Sequence, residues 1–401
     1  MALPENHSGD HMGVRLRTAL TAFFAVLVVL AGALLPPPLA AADTAPAPKP
    51  GGKWRIAYVE GGTYENYQKV LKSFVRGLEN LGWLQAGETF HKTRFPDERA
   101  LWAWLSQNAS SDYLEFVPDA FWSANWEDEA RERNREEAIA RLSGRGGIDA
   151  VIAMGTWAGQ DLANDRHSIP VIVCQSSDAV RAGIVKSARY SGRAHVFALC
   201  DPARYKRQVS IFHDIVGFRK LGVAFEDSPT GRVYAAIEDV RDVSRQQGVE
   251  LIECHATTNT PDSAQAVASY RACYERLAAE ADAVLITHSM TVTPRTMPEL
   301  FEPLLDAKVP TFAQMGSEAV RRGALLSLSQ TDFQAIGMFY ARTLAQILRG
   351  ASPGSLLQVF EDPPVLAINM ETAKRIGFNP PSDILAESEE VFTSIIAQDP
   401  Q

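Results

Sequence analysis

Chemistry in this 401-residue chain is best sought where its apolar runs stop. The stretch "DAVIAMGTWAGQDLA" (149–163) carries Val151 to Met154 straight into Gly155, Thr156 and Trp157, and a helix-like segment follows. A packed core has no use for a hydroxyl and an indole at that point; a binding cleft can use both. Gly155 would let a ligand approach the backbone. The N–H groups that open the following helix favour an anion, and Thr156 adds a hydroxyl donor. Trp157 offers a flat apolar wall. A small molecule bearing a carboxylate fits such a place. The competing structural roles are Thr156 as the helix N-cap and Trp157 as packing between lobes.

Other apolar runs end in the same manner. In open parallel sheets, ligands bind outside the carboxyl ends of the strands. That rule selects Tyr64 after Glu60-Gly61-Gly62-Thr63, Ser177 and Asp178 after Gln175, Asp201 after Cys200, and Ser228 after Glu226-Asp227. It also selects His288 and Ser289 after Thr287, and Gln314 before Met315-Gly316. Asp178 reads equally as an acceptor for a ligand ammonium or as a helix start. A lone His such as His288 is more often structural than a ligand contact. Tyr64, at a helix opening, is open in the same way. No Gly-x-Ser-x-Gly elbow, phosphate loop, His-Glu-x-x-His or dinucleotide glycine fingerprint occurs. The expectation is a binding protein, not an enzyme, with no cofactor and no metal.

The elements that must position these residues alternate between strand and helix. Strands are predicted at 54–60, 113–119, 149–154, 171–175, 219–226, 249–255, 281–287 and 309–315. Helices are predicted at 64–83, 126–144 and about 203–216, 231–247, 262–279 and 296–307. In the first helix Val70, Leu71, Phe74, Leu78 and Leu81 share a face. "RERNREE" (131–137) reads as a solvated helix face. Strands that are apolar throughout have both sheet faces covered, and repeated strand–helix units make a parallel sheet with right-handed crossovers. There are too many units for one sheet, so two doubly wound lobes are expected. Residues 84–112 are an insertion with a short helix, its Trp102 and Trp104 serving as local core.

Composition sets the outer limits. Hydrophobic residues make up 46% and charged residues 22%, ordinary for a globular chain, and the net charge of −9 argues against a nucleic-acid surface. Arg15 and Arg17 precede an uncharged apolar run (19–35), then "PPPLAAAD". This is the pattern of a signal peptide over 1–42, cleaved near Ala42, with 43–53 as a flexible leader. An uncleaved anchor is the alternative. The expected location is therefore outside the inner membrane, in the periplasm. The cysteines are Cys174, Cys200, Cys254 and Cys273, an even number that permits two disulfides. A 174–200 bridge near the cleft with a 254–273 bridge is one arrangement; buried free thiols are the other.

The C-terminal third carries a resemblance. "VPTFAQMGSEAVRRGALLSLSQ" and "VLAINMETAKRIGFNPPSDILAESEEVF" resemble the ABC-transporter substrate-binding family that includes tryptophan-binding-like proteins. The Ile-Asn-x-x-Thr-Ala-Lys-x-x-Gly-Phe run (368–378) and the Val-x-x-Gly-Ala-Leu run (320–325) are its most specific parts. "IDAVIAMGTWAGQ" and "SIPVIVCQSSDAVRAGIVKS" resemble further family segments in the same order. Ala179 stands where the family usually has Pro, and "YSGRAHVFALCD" (190–201) replaces its Gly-Gly-Asn-x-Thr-Gly segment. The resemblance implies a type I periplasmic binding fold, two Rossmann-like lobes joined by a hinge. It places 54–188 with 318–350 in the N-lobe and 189–317 with 351–401 in the C-lobe. It also implies a monomer that delivers a small organic ligand, such as an amino acid, to an ABC permease. Family pocket residues transfer best to Thr156 and Asp178. The alternative on the same fold is a sensor subunit serving a membrane kinase or chemoreceptor.

Overall fold

The structure is a computed structural model that describes residues 44–144, 147–258, 260, 262–329, 333–361 and 365–396. The signal peptide expected over 1–42, with its cleavage near Ala42, lies outside the described residues. Residues from 45 onward do not behave as a loose leader. Lys49 pairs with Asp149 at 2.7 Å, and the Trp54 indole donates to the Ala47 carbonyl at 2.9 Å, so this segment lies against the first lobe.

Two sheets form. The first comprises β1 (Trp54–Glu60), β2 (Leu114–Ser123), β3 (Ala150–Met154), β4 (Val171–Cys174) and β5 (Val196–Ala198). Its order is β2-β1-β3-β4-β5, parallel throughout. All residues of β3 and β4 are buried, as their unbroken apolar runs require. β2 is an edge strand, which is how it accommodates Pro118 and runs beyond the expected end at 119. The second sheet comprises β6 (Lys220–Phe225), β7 (Glu250–His255), β8 (Ala283–Ile286), β9 (Thr311–Ala313), β10 (Leu326–Ser329), β11 (Val365–Asn369) and β12 (Ser388–Phe392). Its order is β12-β11-β10-β9-β8-β6-β7, and only the β10–β11 pair is antiparallel.

Sheet membership moves the expected lobe boundaries. β5 belongs to the first sheet although it lies beyond 188, and β10 belongs to the second although it lies within 318–350. The helix Phe333–Leu348 then returns to the first lobe and packs along the helix Glu65–Asn80. Between the lobes, the Cys200 N–H donates to the Gln358 carbonyl at 2.8 Å. The Phe360 N–H donates back to the Cys200 carbonyl at 3.1 Å. Two crossing segments are thereby tied together. The predicted helix over 231–247 is two helices, Pro229–Ala235 and Ile237–Gln247, broken where Ala236 adopts φ of 48°. The 84–112 insertion holds two helices, Gly87–Lys92 and Glu98–Asn108. Trp102 is buried against Tyr58 and Phe116, and Trp104 lies against Phe90, so both tryptophans serve as local core.

Cys254 and Cys273 form a disulfide that fastens edge strand β7 to the helix Ser263–Glu280. Cys174 and Cys200 are free and buried, so the 174–200 bridge does not form. The cause is the pleat: successive residues of a strand point to opposite faces. Cys174 packs with Ile172 and Phe197 on one face of the first sheet, whereas Cys200 packs with Val173 and Ala198 on the other. Replacing both Cys254 and Cys273 by Ala is expected to cost about 3 kcal/mol of unfolding free energy, from the closed loop it releases. Urea titration of the variant and the parent checks this.

Candidate functional site

The carboxyl ends of β1, β3 and β4 face those of β6, β8 and β9 across a cleft. Two connected cavities occupy it, an outer one of about 750 Å³ and an inner one of about 90 Å³. Tyr64, Asn66, Trp126, Arg204, His288, Ser289, Met290 and Met315 line both. Tyr67, Thr156, Gln175, Ser176, Ser177, Tyr205 and Tyr234 complete the inner chamber.

Several residues expected from the sequence meet here: Tyr64, Thr156 and Ser177 from the first lobe, His288 and Ser289 from the second. Thr156 Oγ1 accepts the Ser177 N–H at 3.1 Å, so one expected residue positions another. Thr156 is not the helix N-cap, because the helix Gly155–Leu162 begins one residue earlier.

The remaining expected residues support the cleft from behind or stand apart from it. Gly155 has φ of +88°, and a Cβ there would lie 2.0 Å from the Tyr67 hydroxyl. Its missing side chain makes room for Tyr67 rather than for a ligand. Trp157 stands behind Trp126 in an edge-to-face contact at 5.5 Å, with the Arg131 guanidinium 4.5 Å over its ring. Asp178 lies outside both cavities. Its Oδ1 accepts the N–H groups of Val180 at 3.0 Å and Arg181 at 2.9 Å, and its Oδ2 lies 3.3 Å from the Arg181 guanidinium. It stabilises a turn. Asp201 is held by Arg207 at 2.6 Å, and Ser228 caps the helix Pro229–Ala235 by accepting the Gly231 N–H. Gln314 is buried. It accepts the His288 N–H at 3.3 Å and donates to the Ala235 carbonyl at 3.1 Å, so it positions His288 without lining either cavity.

The sequence reading passed over two prominent groups of the cleft wall. Trp126 stands at the outer mouth, with its backbone N–H on the Gly61 carbonyl at 2.8 Å and its indole N–H on the Thr63 carbonyl at 3.0 Å. A Cβ at Gly61 or Gly62 would come within 2.7 Å of the indole, so the glycine pair after β1 exists to seat this ring. Arg204 opens the helix Arg204–Val216 and is half-buried. Among the described residues its guanidinium makes no ion pair, and it lies 5.4 Å over the Tyr205 ring. The strand-end rule missed both: β2 runs four residues past its expected end at 119, which brings Trp126 near its true end, and Arg204 opens the helix after β5 rather than the loop before it.

Electrostatics sharpen the picture. Burial, and next the Arg204 charge, push His288 down to about 3, so its imidazole is neutral at ordinary pH. Burial pushes Tyr234 up to about 12. The Ser176 hydroxyl is shielded from solvent and has no hydrogen-bond partner among the described residues, and the buried Tyr205 hydroxyl has only Ser177 beside it. A buried hydroxyl without a partner, in a chamber lined by Arg204, calls for an external one. Behind the chamber, Glu60 is buried and accepts the Tyr58 hydroxyl at 2.9 Å. Burial first, and the Glu98 charge second, push Glu60 up to about 7. A carboxyl raised in the folded state is most stabilising below its unfolded value of 4.5 and loses that contribution as pH rises through 7. Glu60→Gln is therefore expected to gain stability relative to the parent between pH 5 and about pH 8, as read from denaturant midpoints at both ends.

Two lobes built on parallel sheets, with a polar and aromatic cleft at facing strand ends, define a type I periplasmic-binding fold. The chain matches the profile of the ABC transporter substrate binding proteins over residues 125–392 and belongs to that family. A tyrosine-binding protein of Clostridioides difficile is 23% identical over 230 residues, 57% of this chain. The match spans 63% of that relative's length. A conserved domain protein of Vibrio cholerae has a solved structure that matches with a TM-score of 0.64 and 20% identity, over 84% of this chain and 99% of that one. An ABC domain from Streptococcus pneumonia, solved with L-Trp, matches with a TM-score of 0.62 and 17% identity, over 85% and 100%. The chain is accordingly a solute-binding protein and not an enzyme. Among the described residues no group of His, Cys, Asp and Glu could hold a metal ion, and no helix is long and apolar enough to cross a membrane.

Proposed function

We propose that the chain is the periplasmic, monomeric solute-capturing component of an ABC importer, taking an amino acid or related carboxylate for its permease. The observation that carries this reading is Arg204, a half-buried guanidinium without an ion-pair partner among the described residues, in a cleft walled by Tyr64, Tyr67, Trp126, Tyr205 and Tyr234. A guanidinium fork recognises a carboxylate with two parallel hydrogen bonds. The aromatic walls suit a flat apolar ligand body. The tyrosine-binding relative and the tryptophan-bound neighbour support an aromatic ligand. Residues of both lobes would touch the ligand, which would stabilise the closed arrangement by binding it better than the open one. Thr156, Ser177, His288 and Ser289 would supply the polar contacts around the carboxylate.

Calorimetric titration of the exported protein with aromatic and aliphatic amino acids and their carboxylate relatives tests this. Saturable binding, with a melting temperature that rises with ligand concentration, is the expected result. No binding by any member of the panel would overturn the reading.

A further inference from the structure

The inner chamber has an unbalanced charge inventory. Its lining residues include Arg204 and no Asp, Glu or Lys, and His288 beside it is neutral at ordinary pH. An α-amino acid brings a carboxylate and an ammonium on adjacent atoms. If Arg204 takes the carboxylate, the ammonium enters the same desolvated space. A buried ammonium without a counter-charge is strongly penalised.

No carboxylate lines the chamber: Glu98 and Asp239 are buried outside it, Asp239 on Arg181 at 2.8 Å, and the others are engaged elsewhere. Asp178 is committed to Val180, Arg181 and their turn. Glu318 and Glu390 line only the outer cavity. Glu318 holds Arg322 at 2.5 Å and Arg321 at 3.7 Å, and Glu390 accepts the Ser317 hydroxyl. Glu60 lines neither cavity and is bonded to the Tyr58 hydroxyl. Apart from Arg204 the groups that face the chamber are neutral, among them the Ser176 hydroxyl, which has no partner among the described residues, and the Tyr205 hydroxyl. Neutral hydroxyls suit a hydroxyl or carbonyl oxygen as well as they suit any group.

Resting on the reading of this cleft as a solute site, we propose that it selects an aromatic carboxylate without a charged amine, of the aryl-propionate, aryl-lactate or aryl-pyruvate class. The amino acid with the same ring is the weaker ligand. Arg204 neutralises the single charge, Trp126 and the tyrosines enclose the ring, and the Ser176 and Tyr205 hydroxyls meet the oxygen next to the carboxylate.

The test is calorimetry on the exported protein, freed of bound solute by unfolding and refolding. Matched pairs are titrated: phenyllactate, phenylpyruvate and 3-phenylpropionate against L-phenylalanine, with the hydroxyphenyl and indolyl counterparts against L-tyrosine and L-tryptophan. The acid is expected to bind about tenfold tighter or more than its amino acid, since the amine's desolvation is uncompensated. Arg204→Ala is expected to weaken the binding of the acids about a hundredfold. An amino acid that binds as tightly as its matched acid, or tighter, overturns this inference and leaves the solute-binding reading standing. Binding of an aliphatic solute in place of every matched pair does the same. Failure of every compound overturns both.

Discussion

Arg204→Ala weakens binding of an anionic ligand by about a hundredfold while the unfolding midpoint stays where it was. Removing one partner of a desolvated charge pair costs about 2–5 kcal/mol, and about 1.4 kcal/mol is a factor of ten. The fold has little to lose at this position. Arg204 forms no ion pair among the described residues, and its guanidinium lies over the Tyr205 ring at 5.4 Å. Substitutions outside a packed or bonded environment usually shift stability by only about 0.5 kcal/mol. Arg204→Lys keeps the charge and loses the fork, so it falls between the two. A second readout separates loss of the charge from general damage. Arg204 helps hold His288 down, so in the Ala variant the imidazole titrates at higher pH, which NMR follows directly. A binding constant unchanged by the Ala substitution would remove Arg204 from the site.

The second large effect concerns stability. Gly337 lies where the helix Phe333–Leu348 crosses the helix Glu65–Asn80, and a Cβ there would stand 2.3 Å from the Ser73 backbone carbon. From Gly77, a Cβ would meet the Ala341 Cβ at 2.7 Å and the Gly337 carbonyl at 2.9 Å. Two effects of opposite sign compete at Gly337. Alanine in a helix interior is favoured over glycine by about 1 kcal/mol. Overpacking costs about 1–3 kcal/mol, and here the obstacle is backbone, which cannot rotate aside as a side chain would. The clash wins. Gly337→Ala is expected to lower stability by about 1 kcal/mol net, and Gly337→Leu by more than about 3 kcal/mol, in denaturant titrations. A stabilised Ala variant would mean that the helices separate easily and that this contact does not fasten the first lobe.

Legibility of the chain followed length and burial. Strands such as β3, β6 and β8 stand out because they are apolar throughout and bounded by turn residues. β5 is three residues long and carries too short a pattern to separate from the surrounding loop. β10 and β11 pair antiparallel, a connection that no strand–helix rhythm announces. The break at Ala236 leaves no glycine or proline to mark it. In the cleft wall, the strand-end rule found Tyr64, Thr156, Ser177, His288 and Ser289. It also gathered Asp178, Asp201 and Ser228, polar residues that satisfy backbone and arginine groups near a strand end. A sequence does not distinguish an Asp that caps a turn from one that binds a ligand, since both use the same oxygens. Arg204 and Trp126 were illegible for another reason: what marks them is the absence of an ion-pair partner for one and the glycine seat of the other, both facts of three dimensions.

The two unbridged cysteines give the molecule internal clocks. Burial pushes the Cys174 thiol well up and Cys200 up to about 12, so neither forms the reactive thiolate while enclosed. Cys174 sits deep beside the first sheet, whereas Cys200 sits in the segment bonded to Gln358 and Phe360 between the lobes. An alkylating reagent therefore reads two different openings of one chain. Labelling of Cys174 is expected to follow unfolding of the first lobe, at a rate that denaturant raises. Labelling of Cys200 is expected to follow flexing of the crossing as well, and to slow when solute holds the lobes together. The ratio of the two rates times the swing of the lobes against the lifetime of the fold, without any probe being added to the protein.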